Sequence, residues 1–129
     1  MSSGSRLISI VDDDPVVREA LMGLMRSAGF ATQAFASAEE FLSLAHRDDI
    51  ACLILDVRLP GISGLELQSQ LTATASNHRI PVVFITARDD EVTRQRASKG
   101  GAVDFLRKPV RGETLLNAIR LALQQNDGA

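Results

Sequence analysis

Four short polar signals each sit directly behind an apolar run: Asp12-Asp13 after residues 7–11, Asp56 after 51–55, Thr86 after 82–85 and Lys108 after 103–107. These residue types define a chemistry. Carboxylates are hard oxygen ligands for a small divalent cation, which also keeps waters and takes phosphate oxygens. Asp13 and Asp56 can supply two such ligands, while Asp12 adds negative potential and can hold a metal-bound water. A carboxylate can also attack phosphorus and become an acyl phosphate, which gives Asp56 a second role. Phosphoryl transfer depends on positioning and charge neutralisation more than on acid–base work. The Lys108 ammonium and the Thr86 hydroxyl each suit one phosphoryl oxygen.

Such a site exists only if elements far apart in sequence end at one place. Short apolar runs separated by helical segments read as parallel strands, and parallel strands all end on the same side of the sheet. The alternation occurs five times. Asp14-Pro15 opens the first helix as cap and first helical residue, Val17, Ala20, Leu21, Leu24, Met25 and Ala28 recur at helical spacing, and Gly29 stops it. Residues 31–35 read as a second strand. Ser37 with Glu40 forms a capping box for a helix carrying Phe41, Leu42 and Leu44. The strand at 51–55 is followed by a Pro60-Gly61 loop, and Ser63 with Glu66 repeats the box for a helix with Leu65, Leu67 and Leu71.

Residues 77–81 lead into the fourth strand. The segment 89–100 is the weakest helix, with Val92 and Ala97 as its apolar anchors. A fifth strand covers 103–106, and 113–125 form a last helix with Leu115, Leu116, Ile119, Ala122 and Leu123. Regular alternation with short connections predicts an α/β fold, a parallel sheet covered by helices on both faces.

At 129 residues the chain is read as one domain with a core of ordinary size, and 45% hydrophobic with 23% charged residues is unremarkable for a globular protein. A net charge of −2 argues against direct nucleic-acid contact by this segment. No apolar stretch has the length of a membrane span, and the polar start carries no signal-peptide core, so no membrane partner and a cytoplasmic location are expected. The single cysteine, Cys52, lies within an apolar run and reads as core filler. Residues 1–5 and 126–129 read as flexible tails.

Val11-Asp12-Asp13, Asp56-x-x-x-Pro60-x-x-x-Gly64, Thr86-Ala87 and Gly101-Ala102-x-x-Phe105-Leu106-x-Lys108-Pro109 together resemble the receiver domain of two-component response regulators. These motifs span nearly the whole chain in the family's order. The stretches 101–109 and 37–41 resemble its FixJ/NarL-type branch. The resemblance implies a doubly wound, flavodoxin-like or CheY-like (βα)5 fold with five strands in the order 2-1-3-4-5 and five helices.

It further implies that Asp56 accepts a phosphoryl group from a phosphohistidine of a sensor histidine kinase. Asp12, Asp13, Asp56 and the backbone carbonyl of Arg58 would form the Mg²⁺ (or Mn²⁺) site. Lys108 would hold the phosphoryl group, next to a cis peptide bond to Pro109. Thr86 would move toward the phosphoryl oxygen and Phe105 would turn inward behind it. The surface of the fourth helix, fifth strand and fifth helix would then respond, serving a partner or a homodimer. The implied output is transcription through a DNA-binding domain outside this chain; a stand-alone receiver acting by protein–protein contact is the alternative. On this reading the domain is no turnover enzyme but assists its own phosphotransfer and slow dephosphorylation.

Taken singly, most of these residues have plainer explanations. Asp14 is explained by helix capping, Phe105 by the core, Thr86 by a strand end and Lys108 by solvent. His46 and His78 lack ligand spacing and read as solvated. The charged run from Arg88 to Lys99 reads as a solvated helix face, with partner docking as the functional alternative. Ser98 and Gly100 stand where the family usually has an apolar residue and alanine, which predicts a loosely anchored, mobile fourth helix. Arg58 and Arg88 flank the pocket. An aspartyl-phosphate phosphatase would carry a second acid where Arg58 stands, and a nucleotide-binding domain would carry a Gly-rich loop where the three acids stand.

Overall fold

The computed structural model describes residues 6–45, 49–74, 79–88 and 90–127. His46, His78 and Asp89 lie outside the described residues, as do the expected tails except Asn126 and Asp127, which continue the last helix.

The order is β1 (Leu7–Val11), α1 (Pro15–Ser27), β2 (Ala31–Phe35), α2 (Ala38–Leu44), β3 (Ile50–Asp56), α3 (Gly64–Thr74), β4 (Val82–Thr86), α4 (Glu91–Lys99), β5 (Asp104–Arg107) and α5 (Gly112–Asp127). All neighbouring strands pair in parallel, and the sheet order is β2-β1-β3-β4-β5. This is the predicted doubly wound arrangement. The period-2 alternation of strand side chains builds a core on each face. Cys52 and Ile54 of β3 join Ile8, Ile10, Val83 and Ile85 under α1 and α5, packed against Leu21, Met25, Leu115 and Ile119. Leu53 and Leu55 join Val11 and Phe84 on the other face, packed against Phe41, Leu67, Ala97 and Phe105. The central strand is buried on both faces, which is why it reads as a continuous apolar run.

The helix starts follow their capping chemistry. Asp14 Oδ1 accepts from the Val16 amide at 2.9 Å, with Pro15 at the first helical position. Ser63 and Glu66 close a reciprocal box, Glu66 N to Ser63 Oγ at 3.1 Å and Ser63 N to Glu66 Oε1 at 2.9 Å. The cap of α4 is Asp90, which accepts from the Thr93 amide at 2.8 Å.

Beyond small shifts in element ends, two features near the site differ from the sequence reading. Asp56 and Thr86 are the last residues of their strands rather than the first beyond them, because pairing continues through Asp56↔Ile85 and Thr86↔Arg107. Gly100 is also more than a missing anchor. The buried amide of Gln68 on α3 donates to the Ala97 carbonyl at 3.1 Å, and a Cβ at Gly100 would lie 2.5 Å from Gln68 Oε1. The small residue lets α3 tie down the C-terminal end of α4.

Candidate functional site

The C-terminal ends of β1, β3, β4 and β5 bring the predicted residues together. Asp12 follows β1, held by its amide to the Phe35 carbonyl at 3.1 Å and by Arg18 Nη1 on its own carbonyl at 2.7 Å. Its Oδ1 accepts from the Asp14 amide at 2.9 Å. Asp56 Oδ1 accepts from the Arg58 amide at 3.1 Å, which leaves Oδ2 toward Lys108. The Lys108 amide donates to the Thr86 carbonyl at 2.7 Å, fixing the end of β5 against β4, and the Lys108–Pro109 peptide is cis as expected.

The Lys108 ammonium sits between two carboxylates. It donates to Asp56 Oδ2 at 3.0 Å and lies 2.8 Å from Asp12 Oδ2. The second contact is a close ion pair, and among the described residues Lys108 is what neutralises the fully buried Asp12 Oδ2. Asp12 is 0% and Asp56 4% exposed, whereas Asp13 faces solvent. Burial pushes the Asp56 carboxyl above its ordinary pKa. Its hydrogen bond to Lys108 opposes that rise, and the Asp12 charge adds to it. Burial alone would lower Lys108, but its contacts with Asp12 and Asp56 outweigh this and hold the ammonium above its usual range. The site is thus a protonated lysine shared by more negative charge than it can neutralise.

That excess tests the fit of a cation. One carboxylate oxygen from each of Asp12, Asp13 and Asp56 lies within 4.8 Å of the others. An all-oxygen set in which two buried carboxylates share a single ammonium, with Asp13 beside them, fits a hard cation such as Mg²⁺ or Mn²⁺. The Arg58 carbonyl lies in the loop directly after β3, and an open cavity of about 480 Å³ runs past Asp13, Arg58, Leu59 and Pro60.

Thr86 and Phe105 are both inside. The Thr86 hydroxyl donates to the Arg88 carbonyl at 2.8 Å and accepts from the Arg88 amide at 3.1 Å, a local turn at the start of the β4–α4 connection. The Phe105 ring is already buried, tilted against Phe84 at 6.2 Å between centroids, with the Arg94 guanidinium 4.9 Å above it. The expected switch residue is thus part of the core in this state. Arg58 and Arg88 are exposed on the rim, and the Asp90 carboxyl is held low first by its bonds to Thr93 and then by the charges of these two cations.

Three residues near the site were not singled out from sequence. Arg18 holds the Asp12 carbonyl, Glu39 reaches the loop after β3, and Arg94 covers Phe105. Each reads as a solvated helical residue when taken alone. Cys52 is no reactive thiol, since burial pushes it up to about 12.

With this geometry in hand, the comparisons with known proteins are specific. A model of the response regulator receiver domain matches residues 8–120. The response regulator protein TodT of Pseudomonas putida is 47% identical over 124 residues, covering 96% of this chain and 54% of TodT. A low-resolution structure of the response regulator StyR superposes with a TM-score of 0.86 at 47% identity, covering 97% of this chain and 62% of that one. The crystal structure of FixJ-N gives a TM-score of 0.81 at 35% identity, covering 95% of this chain and 96% of that one. The chain spans about half the length of the curated relatives it matches. A family match over most of the chain and a shared fold, both consistent with the FixJ/NarL-like branch, show that the chain belongs to the response regulator receiver domain family.

Proposed function

We propose that Asp56 accepts a phosphoryl group from a phosphohistidine of a sensor histidine kinase, and that the domain converts this into a change on the α4–β5–α5 surface. The observation that carries the reading is the Lys108 ammonium bridging Asp12 and Asp56 at the edge of an oxygen-only acidic cluster. An Asp56 carboxylate oxygen forms the new O–P bond as the donor's N–P bond breaks. The electron pair stays on the imidazole nitrogen, which takes a proton from water. Lys108 neutralises charge on a phosphoryl oxygen, and Asp12 keeps that ammonium in place. Mg²⁺ or Mn²⁺ held by Asp12, Asp13, Asp56 and the Arg58 carbonyl would supply the remaining positive charge.

Thr86 then exchanges its bond to the Arg88 carbonyl for a phosphoryl oxygen. That exchange releases the β4–α4 connection, and α4, which rests on Phe105 through Arg94, feels the change. An apolar groove of about 390 Å³, lined by Val16, Val17, Ala20, Leu21, Pro109 and Val110, opens beside Lys108. It suits the helix of a kinase whose phosphohistidine must reach Asp56.

The length of the relatives supports an output module beyond this chain, acting in the cytoplasm on transcription, with the α4–β5–α5 face free to form a homodimer. Arg58 where a phosphatase would carry its acid supports a stored acyl phosphate rather than turnover. Incubation with Mg²⁺ and acetyl phosphate is expected to give one phosphoryl adduct by intact mass, lost in Asp56→Asn and with EDTA. Sustained release of phosphate from phosphomonoesters would instead favour a phosphatase, and no adduct would contradict the proposal.

A further inference from the structure

The loop from Val57 to Ser63 carries the Arg58 carbonyl, and its two feet are well fixed. The Val57 amide donates to the Ile85 carbonyl at 3.1 Å, and the Gly64 amide to the Val57 carbonyl at 2.9 Å. The crown between the feet is held differently. Leu59 is buried, and the Ile62 amide donates to Glu39 Oε2 at 3.0 Å, a bond across 23 residues from the first turn of α2.

Three details mark this bond as built in. The neighbouring Glu40 serves the α2 cap, accepting from the Ala36 amide at 3.0 Å, so capping does not need Glu39. Gly61 has φ of +76°, which favours glycine. A Cβ at Gly61 would overlap Glu39 Oε2, so the bare backbone also admits the carboxylate. The glycine backbone thus leaves room for the Glu39 carboxylate to reach the Ile62 amide.

We infer that Glu39 is a positioning residue for the cation site, holding the crown so that the Arg58 carbonyl stays presented beside Asp13 and Asp56. The inference rests on the proposed cation site and adds to it a residue on a different element. Residues behind metal ligands typically change affinity by about 10–100-fold when lost. Glu39 is exposed and bonds the Ile62 amide rather than a ligand itself, which places its effect at or below the lower end.

The test is a Mg²⁺ titration of ¹⁵N-labelled protein followed by amide shifts, which suits a chain with no Trp or Tyr. Glu39→Ala is expected to weaken Mg²⁺ binding about tenfold and to speed hydrogen exchange at the Ile62 amide in the metal-free protein. Glu39→Gln keeps an oxygen acceptor while removing the charge, and is expected to retain nearly wild-type affinity and Ile62 protection. Both are surface changes, and unaltered thermal midpoints would confirm intact folds. Unchanged affinity in Glu39→Ala would overturn the inference and leave the proposed cation site standing. So would a loss in Glu39→Gln as large as in Glu39→Ala, because charge alone would then explain it. Absence of Mg²⁺ binding by the wild-type protein would overturn both.

Discussion

The two helices flanking β5 are anchored by opposite means. Leu115, Ala118, Ile119, Ala122 and Leu123 of α5 are buried against the sheet, whereas α4 buries Ala97 and leaves Val92 69% exposed. In place of an apolar face, α4 has directional contacts to its neighbours: Arg94 over Phe105, and Gln68 on the Ala97 carbonyl. Apolar burial resists displacement because every shifted methyl group loses packing and meets water. Hydrogen bonds and a cation–π contact can be exchanged one at a time for water or another partner. The helix beside the proposed phosphoryl site is thus the one expected to rearrange at the lower cost, with α5 as its reference.

The contrast breaks most readily at its strong side. Ile119→Ala on α5 is expected to cost about 3–4 kcal/mol in urea unfolding, as for a fully buried aliphatic truncated to alanine. Val92→Ala on α4 should stay within about 0.5 kcal/mol. Similar losses for the two would erase the distinction.

Lys108 lies between β5 and α5 and holds the buried acids at the root of both. Lys108→Met leaves Asp12 and Asp56 facing each other unneutralised, an expected loss of about 2–3 kcal/mol given the lysine's partial exposure. Added Mg²⁺ should recover more stability in this variant than in the wild type, measured by thermal shift against EDTA. Equal recovery would mean that the carboxylates do not share a cation.

Gln68→Ala removes the tie on the end of α4. Its expected cost is about 1–2 kcal/mol, with faster hydrogen exchange at residues 97–101 and no change at 115–123. Matching acceleration in α5 would show that the two helices are one cooperative unit instead.

The smallest effect concerns Asp56 itself. Its folded-state pKa is raised, so the folded protein takes up this proton before the unfolded chain does as pH falls. The ionised form therefore costs stability at neutral pH, and the penalty is relieved between the raised pKa and the ordinary value near 3.8. Asp56→Asn is expected to stabilise the protein by about 1 kcal/mol at pH 7 and less near pH 4. The phosphorylation rate of the wild type should fall through the same window, as the nucleophile is protonated.

What the sequence made legible follows from the range of the interactions. Strand periodicity and capping boxes are local, so the alternating strands and helices and the cap at Asp14 could be read directly. Asp12, Asp13, Asp56, Thr86 and Lys108 were readable because parallel topology sends every strand end to one side, whatever the sequence separation. Glu39 to Ile62, Gln68 to Ala97 and Arg18 to the Asp12 carbonyl were not, since ordinary polar side chains on helices give no sign of the backbone group they meet. At Gly100 the same limit applies: the missing side chain is visible in sequence, but the Gln68 amide that fills its space is not. The burial of Phe105 could be read from its strand, but its cover, Arg94, could not, because it comes from a helix that reads as solvated.

One measurement bears on the whole account: hydrogen-exchange mass spectrometry with Mg²⁺, with and without acetyl phosphate, on the wild type and Asp56→Asn. The expected result is a phosphoryl adduct on the peptide containing Asp56, altered exchange in peptides covering 86–101, and unchanged exchange across 115–123, with none of this in the variant. An adduct elsewhere, or an Asp56 adduct that leaves α4 as it was or changes α5 equally, would contradict it.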